Sequence, residues 1–444
     1  MTTWRIVLHS LDGGISSSFH CAMSLKIIVP VGAREISRRI GINTLWLLLG
    51  RLGTHGLMVF FTLIIARRLG EVGLGAYAFM ASVMFLANIM TTFGTDMLIM
   101  REIASKDDLS LIPASILVQL ILASLFTCSI ILIAPNLPNQ SQEVVEALKI
   151  YSLALFPMAF YSVFSSVLRG YQRMDAFLWL TLAAASLQTS LAWFFINSTT
   201  SLVTLAWILL ATQLAVALMA ILLCLYQNPA LRYAWRLPRP SIPHLLHIAA
   251  PIAFLALLKV LNQRLSIYML ATLSGAAVTG WFSAALRLVE ASQVGHIALL
   301  GALFPVMAQT RSGRENKSPI PATIFTVSWR LLLILGIATS GFLFLLAPAL
   351  VNLLYGSNFA PAIASLRLLA GMMIPYSLNI YLASRLLAAR QERKVAYTFA
   401  LSLVVLAGMN AWLIPRSDLM GASLATLFAE MVQAGIFLAL TDLD

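Results

Sequence analysis

The chain has 444 residues, 60% of them hydrophobic and only 10% charged, with a formal net charge of +12 and a mean hydropathy of +0.89. Charges this sparse do not cover the surface of a water-soluble protein of such length. Soluble enzymes and soluble nucleic-acid-binding proteins are therefore excluded, and the fold class is an all-α polytopic membrane protein.

Residues 1–41 read as a cytoplasmic N-terminal arm carrying Arg5, Lys26, Arg34, Arg38 and Arg39. Its first 22 residues, MTTWRIVLHSLDGGISSSFHCA, lack the long apolar core and small-residue cleavage site of a signal peptide, and Met23 opens a more ordinary start. A membrane-crossing helix needs about 20 apolar residues. Twelve such segments follow, near 42–66, 74–96, 111–134, 149–168, 176–196, 202–225, 246–271, 276–298, 322–346, 362–383, 395–414 and 420–440. The eighth extends, kinked, to Pro305. Pro157 and Pro375 fall inside the fourth and tenth, where kinks are tolerated. Cys128 and Cys224 lie in apolar runs and read as buried thiols; with Cys21 they show no metal or disulfide spacing.

Lys and Arg alternate between loops. Arg101 and Lys106, Arg169 and Arg173, Arg232, Arg236 and Arg239, Arg311, Arg314 and Lys317, and Arg385, Arg390, Arg393 and Lys394 mark one side. The intervening loops are nearly bare. This basic excess belongs to cytoplasmic loops and implies no nucleic acid. Both termini are thus expected in the cytoplasm, in a multi-pass protein of the inner (plasma) membrane. Arg67 and Arg68 are the exception, placed outside by the same count.

The chain also repeats itself. ARRLGEVGLGAYAFMAS (66–82) lies over ATLSGAAVTGWFSAALR (271–287), setting Gly70 and Gly75 on Gly275 and Gly280, and QRMDAF (172–177) lies over ERKVAY (392–397). The pattern predicts two six-helix bundles, 42–225 and 246–444, joined by a basic cytoplasmic linker, 226–245, around a central cavity.

In the seventh segment, APIAFLALLKVLNQRLSIYML (250–270), Lys259 falls near the midplane. Arg51 and Arg287 lie at similar depth in the first and eighth segments, whereas Arg264 is placed where it can partly snorkel. Each mid-membrane charge costs roughly 2.5–3.5 kcal/mol on the insertion scale, so a hydrated cavity or a bound anion is expected around them. Lys259, Asn262, Gln263 and Ser266 follow i, i+3, i+4, i+7 and predict one polar stripe; Asn43, Arg51 and His55 form a sparser one. Arg287 has an alternative partner in Glu290, three residues on. His55, Asp96, Glu290 and Glu430 are the candidate ion-coupling groups, with H+ or Na+ as the coupling ion and no other cofactor. Arg330 and Arg367 lie near segment ends and read as interfacial anchors. Trp281, Phe282, Tyr268 and Tyr381 are candidates to stack on sugar rings or to anchor at the lipid interface. No metal cluster, nucleophile–base pair or nucleotide-binding loop appears in the sequence, so no enzyme is expected.

The stretch NTLWLLLGR…ARRLGEVGLGAYAF (43–79) resembles the opening of Wzx-type polysaccharide flippases, the O-antigen and exopolysaccharide transporters of the superfamily that includes lipid II flippases and MATE exporters. The resemblance continues through FGTDMLIMREIA (93–104), VLRGYQRMDAF (167–177), GWFSAALRLVE (280–290), LYGSNFAPA (354–362) and GASLATLFAE (421–430), and covers about residues 40–440. Ser266 departs from it, standing where the family often has an acid. The resemblance implies a monomeric flippase that moves a polyprenyl-diphosphate-linked oligosaccharide to the outer leaflet, alongside membrane lipids, a polymerase and glycosyltransferases. The cations Arg51, Lys259, Arg264 and Arg287, with Asn262 and Gln263, would then grip the diphosphate. A cation-coupled MATE-like exporter and a non-transporting scaffold of a polysaccharide assembly complex are the alternatives.

Overall fold

Apolar segments in a bilayer satisfy their backbone groups internally only as helices or closed barrels. In the computed structural model every regular element among the described residues is helical. The structure describes residues 33–106, 109–228, 231, 242–309 and 322–442, with side chains over 50, 52–105, 109–228, 231, 242–301 and 328–441. The chain divides into Met1–Ile42 and Asn43–Asp444. Of the first unit, 33–42 is helical; Cys21 and the first 22 residues lie outside the described residues, as does most of the 226–245 linker.

The helices are α1 (Ala33–Thr92), α2 (Thr95–Lys106), α3 (Leu111–Ile133), α4 (Gln142–Ser152), α5 (Leu155–Gly170), α6 (Met174–Phe195) and α7 (Leu202–Gln227). They continue with α8 (Ile242–Leu273), α9 (Ala276–Gln309), α10 (Ala322–Leu354), α11 (Ala362–Gly371), α12 (Met373–Ala388) and α13 (Glu392–Asp442). Among the described residues seven helices are long and apolar enough to cross a membrane, or nine if each bent pair is one crossing. The first two expected segments run together in α1, interrupted at Gly70 (φ 70°). The last two run together in α13, interrupted at Ser417 and Asp418.

The proline-bearing segments are bent. α4 meets α5 at 41° and α11 meets α12 at 42°. Pro157 and Pro375 each sit third in the helix after the bend, inside the first turn, where a missing N–H leaves no bond unmade. The two glycines matched by the sequence repeat, Gly70 and Gly275, both take positive φ, 70° and 88°, which suits a residue without Cβ.

Without a hydrophobic drive between helices in lipid, polar side chains hold the seams. Asn262 donates to the Phe399 carbonyl at 2.9 Å. Asn410 donates to the Ser266 hydroxyl at 3.0 Å, and Ser266 pairs with Thr426. These bonds join α8 to α13. Ser365 and Ser423 join α11 to α13 at 2.7 Å. Cys224 is buried as expected, but Cys128 is exposed; its apolar neighbours belong to a helix face that no other described element covers.

Candidate functional site

The turn at Ser274–Gly275 sets α8 and α9 side by side as a hairpin. Arg264 lies nine residues before the end of α8 at Leu273, and Arg287 and Glu290 lie eleven and fourteen after the start of α9 at Ala276. At about 1.5 Å per residue all three fall roughly 14–21 Å from the hairpin turn, near half the thickness of a bilayer core. There they meet. Arg264 Nη1 donates to Glu290 Oε1 at 3.0 Å and Arg287 Nη1 donates to Glu290 Oε2 at 3.1 Å. One carboxylate thus holds two guanidinium groups, and the cluster keeps one net positive charge.

The three side chains retain 20%, 23% and 22% of their exposure, so they keep accessible surface and are not sealed in the core. The Arg264 guanidinium lies 5.3 Å from the centre of the Phe85 ring, on α1. Tyr77 of α1 and Tyr355 lie within electrostatic reach of Arg287, and His55 of α1 within reach of Glu290. Each guanidinium carries five N–H donors. Among the described residues each makes one hydrogen bond, which leaves donors for a further anion. Arg264 therefore does not snorkel; the carboxylate on the neighbouring helix is a nearer partner than the interface.

The expected stripe on α8 divides. Asn262 and Ser266 face α13 and bond to it, whereas Lys259 and Gln263 are exposed. A run spaced i, i+3, i+4, i+7 covers an arc wide enough to meet two neighbours, and here one edge meets α13. Arg51 lies on α1 and its side chain is outside the described residues, as is that of Asn43. Asp96, in the first turn of α2, approaches Arg169 of α5 at 3.8 Å. Glu430 of α13 accepts from Asn379 of α12 at 2.6 Å.

Arg330 lies over Trp329 and Arg367 over Phe344, both exposed. Of the aromatic candidates, Tyr268 is exposed and stacks on Phe79, and Trp281 donates to the Asn358 carbonyl at 3.0 Å. Phe282 and Tyr381 are buried, at 0% and 4% exposure, and are withdrawn as sugar-stacking surfaces, because core packing covers their faces.

The sequence set aside Arg67 and Arg68 as an exception; the structure gives them partners. Arg67 donates through Nε to the Leu354 carbonyl at 2.7 Å and through Nη2 to the Leu353 carbonyl at 2.5 Å, closing the end of α10. Arg68 donates to the Trp193 and Ile196 carbonyls at the end of α6 and lies over the Trp193 ring. Asn139 and Gln140 donate to the Thr272 and Ala271 carbonyls at the end of α8, at 2.7 and 3.0 Å. The last carbonyls of a helix lack intrahelical donors and carry its negative dipole, so cations and amides gather there.

Between these caps α1 crosses α9 backbone to backbone. A Cβ on Gly75 would stand 1.8 Å from the Ala276 carbonyl oxygen, and one on Gly280 would stand 2.0 Å from that of Glu71. Both contacts join residues matched by the sequence repeat, 71 with 276 and 75 with 280, each 205 apart. At the end of the molecule carrying these turns α1 and α9 thus touch backbone to backbone.

A family model described as "Polysaccharide biosynthesis protein" matches residues 40–311. No curated relative matches the sequence. Among solved structures, a multidrug resistance MATE family transporter of the MOP superfamily in an inward-facing conformation has a TM-score of 0.71 at 17% identity, over 88% of this chain and 94% of that one. The outward-facing conformation of such a transporter has a TM-score of 0.65 at 17% identity, over 91% and 95%. A MOP superfamily transporter from Pyrococcus furiosus, described for the reverse polarity of its binding pocket, has a TM-score of 0.68 at 18% identity, over 91% and 95%. The fold is that of these transporters, in a multi-pass membrane protein.

Proposed function

The chain belongs to the polysaccharide biosynthesis protein family, and from that premise we propose that it is a flippase carrying a polyprenyl-diphosphate-linked oligosaccharide from the inner to the outer leaflet by alternating access. Twelve crossings fit this reading: the seven long helices, the two bent pairs, a second crossing each in α1 and α13, and α9. Leu52–Thr92 and Glu392–Thr441, at 41 and 50 residues, are about twice the length one crossing requires. The two halves, 42–225 and 246–444, would move against each other about the crossing at Gly75 and Gly280, which lies on the outer side when both termini are cytoplasmic.

The observation that carries the reading is Glu290 held between Arg264 and Arg287 at mid-depth. An internal carboxylate stands where an anion from outside would bind. A diphosphate brings several oxygens on two phosphorus atoms and matches two planar guanidinium forks better than one carboxylate does. Its arrival displaces Glu290 from one or both arginines while the lipid tail stays in the bilayer. Exposed Lys259 and Gln263 on α8 would add polar groups beside it.

The test is surface glycan measured in cells and normalised to protein in the membrane fraction. Arg264→Ala and Arg287→Ala each leave Glu290 one arginine, so the protein should insert and accumulate while export falls at least about tenfold, the loss of one charge-assisted bond of roughly 1.5 kcal/mol or more. Lys259→Ala should fall in the same direction, and Arg330→Ala should export normally. Normal export from the Arg264→Ala, Arg287→Ala double variant would sink the reading. The MATE-like alternative is favoured by the fold of the solved relatives; it predicts altered resistance to small cationic compounds with glycan export untouched.

A further inference from the structure

Glu430 sits far from the arginine cluster in character. It lies twelve residues past the break at Asp418, about 18 Å along α13, again near mid-depth. Its carboxyl is half-buried, and among the described residues no Lys or Arg bonds to it. Its partner is an amide. Asn379 Nδ2 donates to Glu430 Oε2 at 2.6 Å and to the Glu430 backbone carbonyl at 3.0 Å, which fixes the amide against the carboxyl. The other end of that amide, Oδ1, is buried without a partner on a side chain only 3% exposed. A carboxylate beside it adds one more acceptor and cannot satisfy it. A carboxylic acid can, because it carries a hydrogen to donate, so acid and amide pair through two hydrogen bonds.

We propose that Glu430 and Asn379 form a proton-binding site, with the proton held on the Glu430 carboxyl and donated to Asn379 Oδ1. The inference rests on the transport reading above and names its coupling ion. Binding is a simple protonation: one proton joins the carboxylate, and no bond breaks.

The groups around the site support a link to the substrate cations. α13 packs on α8, α9, α11 and α12. From α12, Tyr376 lies within electrostatic reach of Glu430 and also of Glu290. From α9, His296 is fully buried and meets the Tyr376 ring edge-on at 5.8 Å, and Glu290 is held by Arg264 and Arg287. α8 brings Lys259 and Arg264, and α11 brings Arg367, which lies over Phe344. Tyr376 therefore stands between a carboxyl paired with cations and one paired with an amide. Displacement of Glu290 by an anionic substrate changes the charge facing Tyr376 on one side, and the proton on Glu430 answers on the other.

The experiment uses the full chain in detergent micelles and protons as the probe. Infrared difference spectra are recorded as pH is lowered. A carboxylic-acid carbonyl band should appear, vanish in Glu430→Gln, return in Glu430→Asp, and shift in Asn379→Leu, where the acceptor is gone. Persistence of the band in Glu430→Gln, or no shift in Asn379→Leu, overturns the site. Loss of the band on adding sodium chloride at constant pH also overturns it, since the site would then take a metal ion. Glu430→Asp guards against a folding defect, because it keeps the titrating group. The spectra need no glycan, so their failure removes the proton site alone, whereas failure of the export assay removes the flippase reading.

Discussion

Arg67 with Arg68 and Arg264 with Arg287 are two pairs of the same cation with opposite kinds of partner. The first pair donates to backbone carbonyls at the ends of α10 and α6. Those acceptors belong to the helices themselves, and no ligand replaces them without unwinding a turn. The second pair shares a single side-chain carboxylate, which can swing aside. Positive charge in an apolar chain is therefore ambiguous until its partner is known. A carbonyl partner makes an arginine a fastener between helix ends, and a lone shared carboxylate makes it a place where an anion can compete.

The sharpest way to break that comparison is to remove the shared partner. Glu290→Ala leaves two guanidinium groups facing each other at mid-depth without a counter-ion, a loss on the order of 3 kcal/mol. The variant should melt earlier in detergent and accumulate less. Inorganic diphosphate should restore part of its thermal stability and should do little for the parent. If diphosphate stabilises neither protein, the arginine pair is a structural bridge of the same kind as the fastener.

Smaller effects are expected where α1 crosses α9, and they should appear as accessibility. The reporter is Phe85→Cys, beside Arg264, in a chain with its natural cysteines replaced by Ser and labelled with a membrane-impermeant thiol reagent from either side. Gly75→Ala forces a methyl into the Ala276 carbonyl, so the crossing must part; overpacking of this kind costs about 1–3 kcal/mol. Labelling from the outer side should rise. Arg67→Gln removes the charge from the α10 cap, worth about 1 kcal/mol, and should raise outer labelling about fivefold with stability nearly unchanged. Labelling that rises only from the inner side in both variants would reverse the sidedness assigned to this crossing.

Much of the fold was legible in the sequence because bilayer physics acts on composition. Length and apolar runs foretold helices, the two prolines marked segments where kinks are tolerated, and the match of 66–82 with 271–287 set Gly70 on Gly275, both of which take positive φ. The arginine cluster was half legible. Arg287 and Glu290 are three apart on one helix, so periodicity offered the pair. Arg264 joins them across the hairpin from α8, and no local pattern announces that. The stripe on α8 misled because a helical wheel gives a direction and not a neighbour. Asn262 and Ser266 point at α13, and only the packing of α13 turns them from cavity lining into a seam. Phe282 and Tyr381 failed as sugar platforms for the same reason.

By itself, then, the sequence determined that this chain lives in a membrane as helices, and it set the expectation of cations at a depth where they require partners. Each of these follows from the free energy of apolar and charged groups in a low-dielectric slab, which a linear sequence specifies almost completely. Tertiary structure alone decided which partner each cation received: a helix end for Arg67 and Arg68, a shared carboxylate for Arg264 and Arg287. Hydrogen bonds and ion pairs act over about 3 Å. Residues 26 positions apart, like Arg264 and Glu290, or 287, like Arg67 and Leu354, reach that distance only when whole helices have docked.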